Sequence, residues 1–103
     1  MIILRVKMED LLDKYSKDIS KIYSRELGKD ERVHQALEEL AKHPPKISKL
    51  YEREKENHLK EEIIDILLLA HVLKNEIGVK SGAVEPAADH FIDKIDKIYQ
   101  GKD

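Results

Sequence analysis

The chain is most apolar at Ile63-Ile64-Asp65-Ile66-Leu67-Leu68-Leu69-Ala70, where a single carboxylate interrupts the aliphatic side chains. Glu62 precedes this stretch, and on a helix Glu62 and Asp65 lie one turn apart on the same side. A carboxylate among aliphatic groups loses hydration, which is costly unless a cation compensates. Two hard oxygen ligands on one face suit Mg²⁺ better than a soft metal. Glu62 and Asp65 are therefore candidate metal ligands; the alternative is a pair of surface carboxylates with apolar neighbours.

Length and composition narrow the class of protein. A chain of 103 residues corresponds to one domain, here residues 1–103, with 41% hydrophobic and 39% charged residues. The net charge of −2 gives no reason to expect binding to nucleic acid or to an anionic membrane. The absence of cysteine excludes disulfides and thiolate sites. The apolar run is too short to span a bilayer, so we expect a soluble cytoplasmic protein.

Apolar residues recur at helical spacing along the whole chain, and no strand-like alternation of useful length occurs. We therefore predict an all-α fold, a bundle of four or five helices. Gly28 is expected to end the first helix, Asp30 to cap the second, and Pro44-Pro45 to stop the second. Residues 46–77 form either one long helix or a short helix, a break, and a helix from about Asn57.

The end of the chain follows the same pattern. Gly78 is expected to end the helix that carries Asp65, and Ser81-Gly82 to form a loop. Pro86 suits the first position of a last helix, which Gly101 closes. The apolar side of that helix consists of Ala88, Phe91, Ile92, Ile95, Ile98 and Tyr99.

The helix over residues 63–73 is apolar around nearly its whole circumference, and such a helix must be covered on all sides. Three other helices of this length can hardly cover it alone. We therefore expect this helix to be central and also to contact another subunit. The alternative is a monomeric bundle with some exposed leucines.

Glu38 and Glu39 on the second helix are the natural partners of Glu62 and Asp65 across a groove, although solvent-facing glutamates have the same pattern. Carboxylates that hold Mg²⁺ can bind the phosphates of a nucleotide and activate water for attack on phosphorus. The chain has no glycine-rich phosphate loop, so a P-loop enzyme is excluded. The histidines lack the His-x-x-x-His spacing of a helical zinc site.

Two segments carry a family resemblance: Glu61-Glu62-Ile63-Ile64-Asp65-Ile66-Leu67-Leu68 and Asn75-Glu76-Ile77-Gly78-Val79. Together they resemble the second half of the MazG-like nucleotide pyrophosphohydrolases, with a Glu-x-x-Asp motif on an apolar helix. They are also similar to phosphoribosyl-ATP pyrophosphatases of the same all-α superfamily. The resemblance implies Mg²⁺ held by four carboxylates, hydrolysis between the α and β phosphates, and a homodimer or homotetramer.

The resemblance carries over fully for Glu62 and Asp65, which become the expected catalytic and metal-binding pair. The preceding Glu-x-x-Glu motif of the family is incomplete. If Glu39 is its second glutamate, the first position is Ala36; if Glu38 is the second, the first is Gln35. The fourth ligand is therefore unassigned.

Two hypotheses of function follow. The first is a Mg²⁺-dependent nucleotide pyrophosphohydrolase that converts a nucleoside triphosphate to the monophosphate and pyrophosphate, with Glu38, Glu39, Glu62 and Asp65 as the candidate metal ligands. The second is a non-catalytic helical module that keeps the fold for oligomerisation or ligand binding.

Overall fold

The computed structural model describes residues 7–101. Between these residues the chain contains helices and turns and no strand, which confirms the all-α prediction. None of the described helices is long and apolar enough to cross a membrane. The elements in chain order are α1 (Met8–Ser24), α2 (Lys29–Glu52), α3 (Glu56–Ile77), a 3₁₀ turn (Ser81–Ala83) and α4 (Val84–Gln100).

Gly78 and Gly28 both lie at helix boundaries, Gly78 at the end of α3 and Gly28 at the beginning of α2. Gly78 ends α3 as predicted: its φ of 86° is left-handed, and its amide donates to the carbonyl of Lys74 at 2.9 Å. Gly28 does not end α1, which already stops at Ser24. Its extended backbone makes Gly28 the N-cap of α2, so the predicted cap Asp30 lies inside the first turn. Likewise, α4 begins at Val84, two residues before Pro86.

The prediction that Pro44-Pro45 stops the second helix is wrong, because α2 continues through both prolines to Glu52. Each proline removes one amide donor from the helix, but its fixed φ is compatible with helical backbone. Packing against α3 holds α2 in place. Leu40 packs against the core before them, and Leu50 lines a cleft with Leu59 of α3 after them.

The break between α2 and α3 lies at residues 53–55, so residues 46–77 follow the second of the two predicted alternatives. Glu54 adopts a left-handed φ of 55°, which is unusual for a residue with a side chain. The amide of Glu54 donates to the carbonyl of Tyr51 at 3.2 Å, and that of Lys55 to the carbonyl of Leu50 at 3.1 Å. This pair of hydrogen bonds is the Schellman motif that commonly closes a helix.

The central position predicted for the Asp65 helix is confirmed, since α3 packs against both α1 and α2. The core cluster consists of Ala36 from α2 with Leu69 and Val72 from α3, exposed by 0%, 6% and 0%. Ile19, Tyr23, Leu40 and Leu73 pack around it. This small core holds α1, α2 and α3 together at the level where the candidate site lies.

Helix α4 departs from the predicted bundle. Among the described elements it packs against the 3₁₀ turn and against none of α1, α2 or α3. The apolar residues of its predicted inner side are exposed, Phe91 by 61% and Ile92 by 62%. The described part of the chain has a radius of gyration of 16.8 Å, whereas a compact domain of this length has about 13 Å. The chain is thus a packed three-helix unit with a projecting fourth helix.

Candidate functional site

The two carboxylates of the Glu-x-x-Asp motif have different environments. Glu62 is nearly buried, with 9% of its surface exposed, because it lies on the side of α3 that faces α2. Asp65 is exposed, although it is the residue surrounded by aliphatic neighbours in sequence. Asp65 lines the open cleft where α1, α2 and α3 meet. The carboxylate that loses its hydration is therefore Glu62, whereas the sequence had indicated Asp65.

The partner of Glu62 is His43 of α2. Oε2 of Glu62 and Nδ1 of His43 form a hydrogen bond, and His43 is likewise only 9% exposed. This bond lowers the pKa of Glu62, against the opposing effect of burial. Because an ionised carboxylate can only accept, the hydrogen of the bond resides on Nδ1. The bond orients Glu62 and uses one of its two oxygens.

His43, Glu62 and Asp65 form a cluster in which one potential ligand atom from each lies within 4.8 Å of the others. Glu39 lines the same cleft, of about 280 Å³, as His43 and Asp65. The site thus draws two residues four apart from α2 and two residues three apart from α3. Both spacings place their members on one side of a helix.

Glu39 has partners of its own. Its Oε1 accepts hydrogen bonds from Lys42 Nζ at 3.0 Å and from Gln35 Nε2 at 3.2 Å. The hydrogen bond and charge of Lys42 lower the pKa of Glu39, so its carboxylate is ionised at neutral pH. Among the predicted ligands, Glu39 and Asp65 line one cleft, and Glu62 lies beside Asp65 in the cluster of ligand atoms without lining that cleft.

Glu38 lies elsewhere. It is exposed and lines neither the cleft nor the cluster of ligand atoms. Ala36, one candidate for the family's first glutamate position, is fully buried against Leu69 and Val72. Gln35, the other candidate, is half-buried and hydrogen-bonded to Glu39.

His43 belongs to the site but is not among the residues predicted from the sequence. His43 follows Glu39 by four residues and therefore shares its side of α2. The signal was a Glu-x-x-x-His pattern on the helix that faces the Glu-x-x-Asp motif. The prediction that Pro44-Pro45 stops this helix placed His43 at the helix end, and so gave no reason to expect it opposite Glu62.

A basic cleft adjoins the cluster on the other side of Glu62. Lys46 and Lys49 of α2, Arg53 of the break that follows α2, and His58 of α3 line this cleft of about 270 Å³ together with Glu62. Lys46 and His58 also help to lower the pKa of Glu62 through their charge. The hydrogen-bonded pair of His43 and Glu62 thus connects the two clefts, since His43 lines the one with the carboxylates and Glu62 lines the basic one. Comparison of the chain with protein-family models, curated proteins and solved structures gives no match.

Proposed function

We propose that this protein is a nucleotide pyrophosphohydrolase of the MazG-like type, which uses Mg²⁺ to convert a nucleoside triphosphate to the monophosphate and pyrophosphate. The observation that carries the proposal is that His43, Glu62 and Asp65 bring one ligand atom each within 4.8 Å of one another, beside a cleft between three helices that Glu39, His43 and Asp65 line. Glu62 and Asp65 are also the residues that match the family motif. Oxygen donors at an open cleft fit a hard cation that keeps several of its waters.

Glu39, Glu62 and Asp65 would hold Mg²⁺. Bound Mg²⁺ would supply positive charge that offsets the charge of the phosphates and would activate water. His43 acts as a positioning residue, because its Nδ1–H fixes one oxygen of Glu62 and leaves the other to face the cation. Lys42 and Gln35 orient Glu39 in the same way.

The basic cleft supports the choice of a polyphosphate as substrate. Lys46, Lys49 and Arg53 could neutralise phosphates that extend from the carboxylate cleft past Glu62. A chain with a net charge of −2 would otherwise repel a nucleotide with several negative charges. The two adjacent clefts thus provide a cation for the reacting phosphate and basic side chains for the others.

The test combines binding and activity. Wild type is assayed for pyrophosphate release from a panel of nucleoside triphosphates, and its melting temperature is measured with and without Mg²⁺. Asp65→Asn keeps the shape of the side chain but removes its charge, so we expect loss of both pyrophosphate release and Mg²⁺-dependent stabilisation. Asp89→Asn on the projecting α4 is the matched control and should retain both. Activity that survives Asp65→Asn would place the reaction elsewhere.

The second candidate function is a non-catalytic helical module for oligomerisation or ligand binding. The observation in its favour is that neither alternative for the family's first glutamate position, Ala36 or Gln35, is an acid. Ala36 is in addition completely buried. If wild type neither binds Mg²⁺ nor releases pyrophosphate from any nucleotide, the module replaces the enzyme as the proposed function.

A further inference from the structure

The described residues include two apolar surfaces that are open to solvent. The first, the α4 ridge, consists of Phe91, Ile92, Ile95 and Ile98, whose exposure ranges from 40% to 62%. The second, the α1/α3 groove, is a cleft of about 430 Å³ lined mainly by Met8, Leu11, Tyr15, Ile64, Leu67 and Leu68. The ridge is convex and the groove is concave, and both are apolar, so the two surfaces are complementary in shape and in chemical character.

We propose that the α4 ridge of a second copy of this chain occupies the α1/α3 groove, and that the exchange is reciprocal. A two-fold dimer results in which each copy donates one ridge and receives another. The proposal is independent of the enzymatic one, since neither surface contains a proposed metal ligand, although Leu68 lines both the groove and the carboxylate cleft.

The dimensions of the two surfaces agree. Met8 to Tyr15 on α1 and Phe91 to Ile98 on α4 each cover eight residues, a rise of about 10 Å along a helix. Met8, Leu11 and Tyr15 recur at spacings of three and four, as do Phe91, Ile95 and Ile98. A helix laid between α1 and α3 would therefore place two turns of apolar side chains against two turns of the groove.

The area involved is sufficient for a stable dimer. Eight exposed side chains take part in each copy, Met8, Leu11, Tyr15 and Ile64 in the groove and Phe91, Ile92, Ile95 and Ile98 on the ridge. If each loses about 100 Å² to solvent, one copy buries about 800 Å² and the dimer about 1,600 Å², the size of a standard stable interface. Among the described residues, the chain alone buries only Leu12, Ala36, Leu69 and Val72 as its apolar core. Association would therefore add substantially to the buried apolar surface.

The position of α4 favours a second copy over closure within one chain. Helix α4 packs against the 3₁₀ turn and not against α1 or α3, so the ridge and the groove of one chain do not meet. Two copies pair both ridges with both grooves at once, so the exchange closes as a two-fold assembly.

The chain has no cysteine, which allows a direct test of contact by disulfide formation. The variant that carries both Ile64→Cys and Ile95→Cys has one thiol in the groove and one on the ridge. On mild oxidation we expect a covalent dimer on a non-reducing gel, whereas either single variant should remain uncross-linked. A covalently closed monomer would show that α4 folds onto its own chain and would overturn the proposal. Dimerisation of Ile95→Cys alone would show that two α4 ridges pair and would overturn it equally.

Complementation provides a second test. In light scattering, wild type should have twice the chain mass of 12.0 kDa, whereas Ile95→Lys and Ile64→Glu should each be monomeric. Gln100→Glu, on the polar side of α4, is the control and should stay dimeric. Mixing the two monomeric variants restores one wild-type ridge and groove and opposes a lysine to a glutamate in the other. We therefore expect a mixed dimer, and its absence, with helical circular dichroism intact, would overturn the proposal.

Discussion

His43 and Glu62 are hydrogen-bonded across the interface between α2 and α3, and each is only 9% exposed to solvent. The pair joins the helix that contains two prolines to the helix that contains the Glu-x-x-Asp motif. It therefore has two roles. It fixes the alignment of the two helices at the site, and it determines the direction of the Glu62 carboxylate.

We expect His43→Leu to lower the melting temperature by several degrees, because it leaves Glu62 nearly buried without its hydrogen-bond donor. The double variant His43→Leu/Glu62→Leu should recover most of the loss, since no polar group is then left unpaired. Thermal unfolding followed by circular dichroism measures both. Equal destabilisation by the single and the double variant would contradict the pairing. In the single variant the Mg²⁺-dependent rise in melting temperature should also shrink, because Glu62 is no longer oriented.

Arg32 and Glu76 join the beginning of α2 to the end of α3 by two parallel contacts, Nε to Oε1 at 3.0 Å and Nη2 to Oε2 at 3.1 Å. Arg32 Nη1 also donates to the carbonyl of Leu27 at 3.1 Å. Arg32→Met should lower the free energy of unfolding by about 2 kcal/mol, because Glu76 stays shielded and unpaired. Urea denaturation provides the measurement. Lys97→Met, which breaks the exposed pair with Asp93, should change it by less than about 0.5 kcal/mol.

Glu54→Gly should stabilise the protein. The left-handed φ of 55° strains a residue with a side chain and suits glycine, and the residue closes α2 in a Schellman motif. We expect a gain of about 0.5–1 kcal/mol in the free energy of unfolding. The control is Ser48→Gly at an exposed position near the end of α2, which should cost about 0.5 kcal/mol. A loss at both positions would mean that residue 54 does not hold this conformation in solution.

Gln35→Glu and Ala36→Glu test which position corresponds to the family's first glutamate. Gln35 is half-buried beside Glu39, so Gln35→Glu should reduce stability without Mg²⁺ and strengthen Mg²⁺ binding, because carboxylates in contact repel until a cation joins them. Ala36 is fully buried, so Ala36→Glu should unfold or strongly destabilise the chain by about 3 kcal/mol or more. Isothermal titration with Mg²⁺ and thermal unfolding distinguish the two. Stronger Mg²⁺ binding by a folded Ala36→Glu would contradict this assignment.

Local signals in the sequence were sufficient for the helical class, the end of α3 at Gly78 and the central position of α3. They rest on periodic apolar residues and on the backbone freedom of one glycine, which act within a few residues. The same signals failed at Pro44-Pro45, where missing amide donors predicted a stop. Packing of α2 against α3, in which Leu40 lies against the shared core, keeps α2 helical through the prolines, and a local pattern contains no such contacts.

The amino-acid sequence by itself determined which carboxylates share a face of one helix, Glu62 with Asp65, because that depends only on 3.6 residues per turn. Only the tertiary structure decided which residues meet them. The packing of α2 on α3 placed His43 against Glu62, brought Glu39 to the cleft, and left Glu38 on another side. It also left α4 apart from the other helices, with its apolar side open. Periodicity specifies the faces of a helix, whereas the pairing of faces depends on how separate helices bury their surfaces together.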